Sequence, residues 1–474
     1  MKILFVASEV VPFAKTGGLA DVAAALPAAL KNKGEDVRII TPLYKKIDRA
    51  KIGLKDTGKR ISVSFKGRTI TGGLLETVSG DVPVYFLEQE ELYGRDELYG
   101  TAQGDYPDNA ARFGFLCRGV FEACKALDFK PDVFHCHDWQ TGLIPVYLKT
   151  IYRNDFPDSL AVHTIHNIAY QGAFPPDTAG FLGVPADIVM HFGAVNFLKA
   201  AISSADIVTS VSERYIQEIQ TPEFGAGLDG VLKSRSKDLV GIVNGLDYNI
   251  WSPSTDNYLP VRYDSDSLDN KAKCKQSLLE EKGLNTSENR LLAGFVGRLA
   301  EQKGIDIIVN ALDRVLNIGC NFILLGKGDA RYQDMLAAVS GRQPGRISVN
   351  LAFDDPLAHR IYAASDVFLM PSRFEPCGLG QMISMAYGTA PIVNPVGGFV
   401  DTVQNYDSNT KQGTGFAMTN ATPDGLVDAI ARAHMLWLNK DDWCKFQRVL
   451  MNQNFSWESS SQKYLEIYRR KSLS

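Results

Sequence analysis

The sequence predicts an α/β protein made of two doubly wound, Rossmann-like domains. Short apolar runs bounded by turn residues recur along the chain, as expected of strands buried on both faces of parallel sheets. Helix-length segments separate them, and 474 residues exceed the size at which one hydrophobic core keeps growing.

In the first half the predicted strands are residues 3–7, 37–41, 133–135, 161–165, 207–210 and 240–243. The second half supplies 292–296, 322–325, 347–351, 367–370 and 392–394, again with helical patterns between. One stretch departs from this alternation. Residues 61–65 and 82–87, with Gly72-Gly73 and Gly80 between them, read as antiparallel hairpins inserted at about 59–90. A strand ending in Asn244-Gly245, followed by Pro253 and a polar stretch, marks the domain boundary. The expected domains are therefore 1–245 and 246–456. The tail 457–474 carries apolar Tyr464, Leu465, Ile467 and Tyr468 and reads as a final helix; periodicity leaves open which domain it covers.

Hydrophobic residues make up 45% and charged residues 22%, which excludes a disordered or fibrous chain. A formal charge of −4 argues against a dedicated nucleic-acid binder, so any anionic substrate has to be met by local basic groups. Seven scattered cysteines without a CxxC pair favour reduced thiols. No apolar stretch approaches a membrane span, and residues 1–6 form a strand-like run too short for a secretory segment. The expectation is a soluble cytoplasmic protein with no membrane partner; a plastid location after removal of a transit peptide is also compatible.

Open parallel sheets bind ligands beyond the carboxyl ends of their strands. After the first strand comes Lys15-Thr16-Gly17-Gly18-Leu19-Ala20-Asp21, where a cation and two glycines precede a helix. This turn fits a phosphate site and a plain strand-to-helix connection equally well. A second strand end gives His135-Cys136-His137-Asp138-Trp139-Gln140. Asp138 either caps a loop or meets sugar hydroxyls, with the Trp139 indole against a sugar ring. Metal binding is the weaker reading, since no third or fourth ligand is spaced nearby. A third polar strand end is His166-Asn167.

In the second half, Arg298 and Lys303 lie on a loop entering a helix and form either a diphosphate clamp or a solvated pair. The segment Pro371-Ser372-Arg373-Phe374-Glu375-Pro376-Cys377-Gly378-Leu379 places a carboxylate just before a glycine expected to open a helix. Glu375 can hold sugar hydroxyls there while the N–H groups of Gly378 and Leu379 face a phosphate. Val396-Gly397-Gly398 ends the next strand in a similar way. Two motifs are decoys: Gly225-Ala226-Gly227-Leu228-Asp229-Gly230 follows no strand, and Asp264-Ser265-Asp266 lies in a polar connector. Neither a metal nor a cofactor is expected.

Taken in order, Lys15-Thr16-Gly17-Gly18-Leu19-Ala20-Asp21, His137-Asp138-Trp139, His166-Asn167, Arg298…Lys303-Gly304 and Phe374-Glu375-Pro376-Cys377-Gly378-Leu379 resemble bacterial glycogen synthases and plant starch synthases over nearly the whole chain. The resemblance implies a GT-B architecture, two Rossmann-like domains facing across a cleft, with donor mostly on the second and acceptor on the first. It implies that the final helix returns to the first domain. The activity implied is glucosyl transfer from ADP-glucose to an α-1,4-glucan, with retention of configuration.

In that family's terms Lys15, Gly18, Arg298 and Lys303 would meet the donor phosphates and Glu375 the glucose. Asp138 and Asn167 would contact sugars, and His166 would approach the transferred glucose. Tyr99 or Tyr93 would contact the acceptor. Gln140 stands where the family commonly has His, Gly380 where Thr is common, and Asn394-Pro395-Val396-Gly397-Gly398-Phe399 where Arg…Thr-Gly-Gly-Leu is usual. These departures bear on donor-base preference. A glucosyltransferase with a small acceptor, of the sucrose or trehalose synthase kind, and a catalytically silent glucan-binding protein are the competing readings.

Overall fold

Runs of Val, Ile, Leu and Phe with no polar alternation can be satisfied only when both faces of a strand are covered, and the computed structural model buries them in that way. It describes residues 1–101, 103–286 and 289–470. The chain divides into two compact units, Met1–Gly245 with Trp457–Ser474, and Leu246–Ser456.

The main sheet of the first unit contains β1 (Lys2–Val6), β2 (Asp36–Pro42), β3 (Lys55–Phe65), β4 (Arg68–Ser79), β5 (Val82–Glu88), β6 (Val133–His137), β7 (Leu160–Ile165), β8 (Ile207–Ser210) and β9 (Leu239–Gly241). Their order is β9-β8-β7-β6-β1-β2-β5-β4-β3. From β9 through β5 the pairing is parallel, with Ile3 opposite both Val37 and Val133. β3, β4 and β5 form an antiparallel meander that extends this same sheet.

The sequence reading placed Gly72-Gly73 between strands, whereas the structure places both inside β4. A Cβ on Gly72 would stand 2.6 Å from the Glu88 carbonyl oxygen and 2.9 Å from the Phe115 ring, so close packing and not a turn explains the glycine. A small sheet of Ala173–Phe174, Ala194–Asn196 and Met190–His191 was not foreseen; its strands are too short to show a period.

The second unit contains β10 (Leu291–Val296), β11 (Cys320–Leu325), β12 (Ile347–Asn350), β13 (Val367–Met370), β14 (Ala390–Val393) and β15 (Phe416–Ala417). All pair in parallel in the order β12-β11-β10-β13-β14-β15.

The final helix, Trp457–Arg469, belongs to the first unit. Trp457, Tyr464, Leu465, Ile467 and Tyr468 are buried there, and Ser460 Oγ donates to the Val243 carbonyl at 2.7 Å. Gly245 is required by this docking, since a Cβ would lie 2.5 Å from the Trp457 ring. Among the described residues no helix is long and apolar enough to cross a membrane.

Leu465→Ala removes a side chain that is 2% exposed. It is expected to cost about 2–5 kcal/mol, measured as a lower midpoint of denaturant unfolding. A midpoint unchanged from wild type would show that the helix adds nothing to the first unit.

Candidate functional site

Each cluster forms where β-strands end. In the first unit, β1 leads to Glu9, which is 4% exposed and accepts hydrogen bonds at both carboxylate oxygens. Oε2 accepts from the backbone N–H of Thr16 and, at 3.1 Å, of Gly17. Oε1 accepts from Thr16 Oγ1 at 2.6 Å and from the Tyr99 hydroxyl at 2.6 Å. Glu9 thus shapes the Lys15–Gly18 turn and ties it to Tyr99. Tyr93 lies elsewhere, wholly buried with its hydroxyl donating to the Arg112 carbonyl. Lys15 is exposed and paired with Asp21 at 2.7 Å. The helix Gly18–Asn32 starts without a side-chain cap, and a Cβ on Gly17 or Gly18 would meet nothing within 4 Å. Packing against the described residues therefore does not require glycine at either position.

The neighbouring strands β6 and β7 end together, with His137 opposite Thr164. Asp138 follows β6 at φ 52° and ψ −174°, a conformation that an L-residue holds only under strain. Its Oδ1 accepts from the backbone N–H of His166 at 2.7 Å and of Asn167 at 3.4 Å. Burial nevertheless pushes the Asp138 carboxyl up to about 7, outweighing those two donors. The same burial pushes His166 down to about 3, so its imidazole is neutral at physiological pH. Asn167 accepts through Oδ1 from the Ala169 N–H at 3.0 Å. Trp139 is buried, 4.9 Å from the Phe113 ring and 5.8 Å from Phe174, with Gly172 lying against its indole.

In the second unit the loop after β13 is cross-linked to the turn after β10. Lys303 Nζ lies 2.5 Å from Glu375 Oε2, which also accepts from Ser372 Oγ at 3.1 Å. Arg373 grips Asp306 with two bonds of 2.8 and 2.7 Å, holding that carboxyl below its usual range. The Arg373 N–H donates to the Gln302 carbonyl at 2.8 Å, and Gln302 Nε2 donates to the Phe374 carbonyl at 3.1 Å. Gly304, at φ 68°, is needed for this approach, since a Cβ would stand 2.3 Å from the Pro371 carbonyl oxygen. Arg298 is exposed and makes no ion pair among the described residues.

The third side of the loop is the Gly397-Gly398 turn after β14. Gly398 N–H donates to the Glu375 carbonyl at 3.1 Å, and Asn394 Nδ2 donates to the Ser372 carbonyl at 2.9 Å. A Cβ on Gly398 would lie 2.2 Å from the Cys377 carbonyl oxygen, and Cys377 itself is buried. Gly378 was expected to open a helix. Instead it adopts φ 73°, Leu379 serves as N-cap, and the helix runs Gly380–Ala386.

The two decoys have structural uses. Asp264 Oδ1 accepts from Asp266 N–H and from Ser267, just before the helix Leu268–Glu281. The 225–230 loop packs on Gln171, whose Nε2 donates to the Ala226 carbonyl.

Sequence reasoning assigned no role to Glu9, Ser372, Gln302, Asp306 or the Arg373 side chain. Glu9 stands just beyond the first strand, where the strand-end rule reaches it. The other four reveal themselves only through contacts 67–72 positions apart, apart from Ser372, which is local to Glu375.

Comparison with known proteins follows the same division. Residues 2–234 match the family described as starch synthase catalytic domain, and residues 290–435 match glycosyl transferases group 1. A glycogen synthase 2 from Geobacter sulfurreducens is 46% identical over 99% of this chain and 98% of its own length. A glycogen synthase from Thermotoga maritima is 41% identical over 99% of both. Among solved structures, the catalytic domain of starch synthase IV from Arabidopsis thaliana, bound to ADP and acarbose, superposes with TM-score 0.93 at 33% identity. That match covers 100% of this chain and 99% of the other. The sucrose-phosphate synthase of Thermosynechococcus elongatus, at 17% identity and TM-score 0.64, shares the fold. With two Rossmann-like sheets of the GT-B class and identity sustained from end to end, the chain belongs to the glycogen and starch synthase family.

Proposed function

We propose that this chain transfers glucose from ADP-glucose to the non-reducing end of an α-1,4-glucan, with retention at the anomeric carbon and without a metal. The observation that carries the reading is the Lys303–Glu375 pair on two cross-linked loops, in a chain whose full-length relatives are glycogen synthases. Breaking the C1–O bond of the donor builds negative charge on the departing diphosphate. Preorganised cations offset that charge.

Lys303 has three N–H donors, so it can keep Glu375 and still reach a phosphate oxygen. Arg298 adds a planar fork suited to phosphate. The recorded bonds of the Glu375 carboxylate both go to Oε2. Oε1 is left to accept from glucose hydroxyls. Lys15 and Gly18 bind donor phosphate, Asp138, Asn167 and His166 contact sugars, and Tyr99 faces the acceptor. Gly378, Leu379 and Cys377 form the loop wall at the phosphate end, with Gly398 behind it, and Trp139 backs the acceptor side.

The sequence offers no obvious pair of carboxylates to divide acid and nucleophile roles as in retaining glycosidases. The acceptor hydroxyl therefore attacks C1 on the face from which the diphosphate leaves. As the new C1–O bond forms, the hydroxyl proton passes to the departing phosphate oxygen. Trapping a covalent glucosyl-enzyme during turnover would overturn this step.

Arg298→Ala and Lys303→Ala are each expected to lower kcat about 100-fold or more, with the unfolding midpoint close to wild type. Wild-type turnover in both variants would remove the phosphate clamp. A panel of ADP-, UDP- and GDP-glucose with glycogen should release nucleotide fastest with ADP-glucose and lengthen the glucan. Release with small sugars alone would favour the small-acceptor reading.

Asp138 supplies a pH test. Its folded value is raised from 3.8 to about 7. Its contribution to stability is therefore fully present below pH 3.8 and is lost as pH rises through about 7. Asp138→Asn carries no such charge and keeps an acceptor oxygen. The variant's melting temperature should gain on wild type as pH rises from about 4 to about 7, while its activity falls below wild type. A difference that stays flat with pH would refute the buried carboxylate as its source.

A further inference from the structure

His137 has no part in the chemistry described so far. It ends β6 with 0% exposure, its ring stacked 5.1 Å from Phe5 and tilted by 37° at 4.3 Å from His135. His135 is itself held at both nitrogens, Nε2 by Thr164 Oγ1 at 2.6 Å and Nδ1 by the Tyr468 hydroxyl at 2.8 Å. The His137 main chain is pinned by Thr141, whose Oγ1 accepts from the His137 N–H at 2.6 Å and lies 2.8 Å from its carbonyl oxygen. The ring has one polar contact, from Nδ1 to His166 Nε2 at 2.9 Å. Its Nε2 is buried without a partner among the described residues.

Two ring nitrogens at that distance share one proton, and burial keeps both imidazoles neutral. Were His166 the donor through Nε2–H, neutral His137 would carry its own proton on Nε2, where the buried N–H finds no acceptor. Such an orphan donor is costly, because the buried N–H does not recover the hydrogen bond it made to water. With His137 as donor, only a lone pair is left unmatched, which is the milder loss. His166 must then carry its proton on Nδ1. That nitrogen is not among the buried unpartnered atoms, and His166 is half-buried.

We infer that His137 is a positioning residue that fixes His166 as the Nδ1–H tautomer, making the open edge of His166 a hydrogen-bond donor to a hydroxyl of the transferred glucose and not a base. The functional half of this inference rests on His166 being a sugar contact, as proposed above. The tautomer half does not.

Two measurements separate them. Long-range ¹⁵N–¹H correlation spectra of the labelled full chain, assigned with His137 and His166 variants, should show both residues protonated on Nδ1. Protonation of His166 on Nε2 would overturn the proposal. In kinetics, His137→Leu should lower kcat about tenfold, the scale of one hydrogen bond. His137→Asn, whose amide N–H stands where Nδ1 stood, should recover most of the loss, with KM little changed in both. Equal impairment in the two variants would refute the donor role. The expected tautomer together with wild-type turnover in His137→Leu would instead refute His166 as a sugar contact, and with it the role assigned to the tautomer.

Discussion

Parallel pairing sends the carboxyl ends of the strands it joins to the same edge of the sheet, and the candidate sites of this chain depend on that constraint. In the first unit, the ends of β1, β6 and β7 are neighbours because Ile3 pairs with Val133 and His137 with Thr164. Glu9, Asp138 and His166 thereby come to one edge although more than a hundred residues separate the first from the others. In the second unit, the ends of β10, β13 and β14 are adjacent for the same reason, which brings Lys303, Glu375 and Gly398 into one network. Ligands of open parallel sheets bind beyond these carboxyl ends, which is where the polar groups of both units collect.

Electrostatics at the two edges differ in kind. Arg298 apart, the second unit keeps the charges of this edge partnered and partly open: Lys303 and Glu375 at 22% and 8% side-chain exposure, and Arg373 with Asp306 at 36% and 27%. Pairs of this type add little to stability, but a bidentate guanidinium–carboxylate contact restricts geometry well. It holds the two loops proposed to grip the donor at a constant separation. The first unit instead buries polar groups with few opposite charges nearby. Asp138 and the histidines shift toward neutrality because desolvation outweighs their hydrogen bonds. A neutral imidazole and a carboxyl that titrates near neutrality suit contacts with sugar hydroxyls, where full charge is not needed.

The backbone pays for close approach with glycine. Gly304, Gly397 and Gly398 stand where a Cβ would meet a carbonyl oxygen at 2.0–2.3 Å. They let three loops touch main chain to main chain around Glu375. Gly17 and Gly18 have open space instead, which separates glycines required by packing from glycines that packing does not require. That distinction is invisible in the sequence, where both pairs read alike.

The sequence alone determined the α/β class, the parallel strands of both sheets apart from the short Phe416–Ala417 edge strand, and the strand-end segments that carry Lys15, Asp138, His166, Lys303 and Glu375. Burial on two faces leaves a period that can be read locally, and strand ends follow from it. Only the tertiary structure decided that β4 runs through Gly72-Gly73, that Gly378 precedes the helix in a left-handed turn, and that Tyr93 is core while Tyr99 meets Glu9. It alone joined Arg373 to Asp306 and His137 to His166. Each of these depends on contacts between segments distant in sequence or on space left by a neighbour, and no local pattern of residues encodes either.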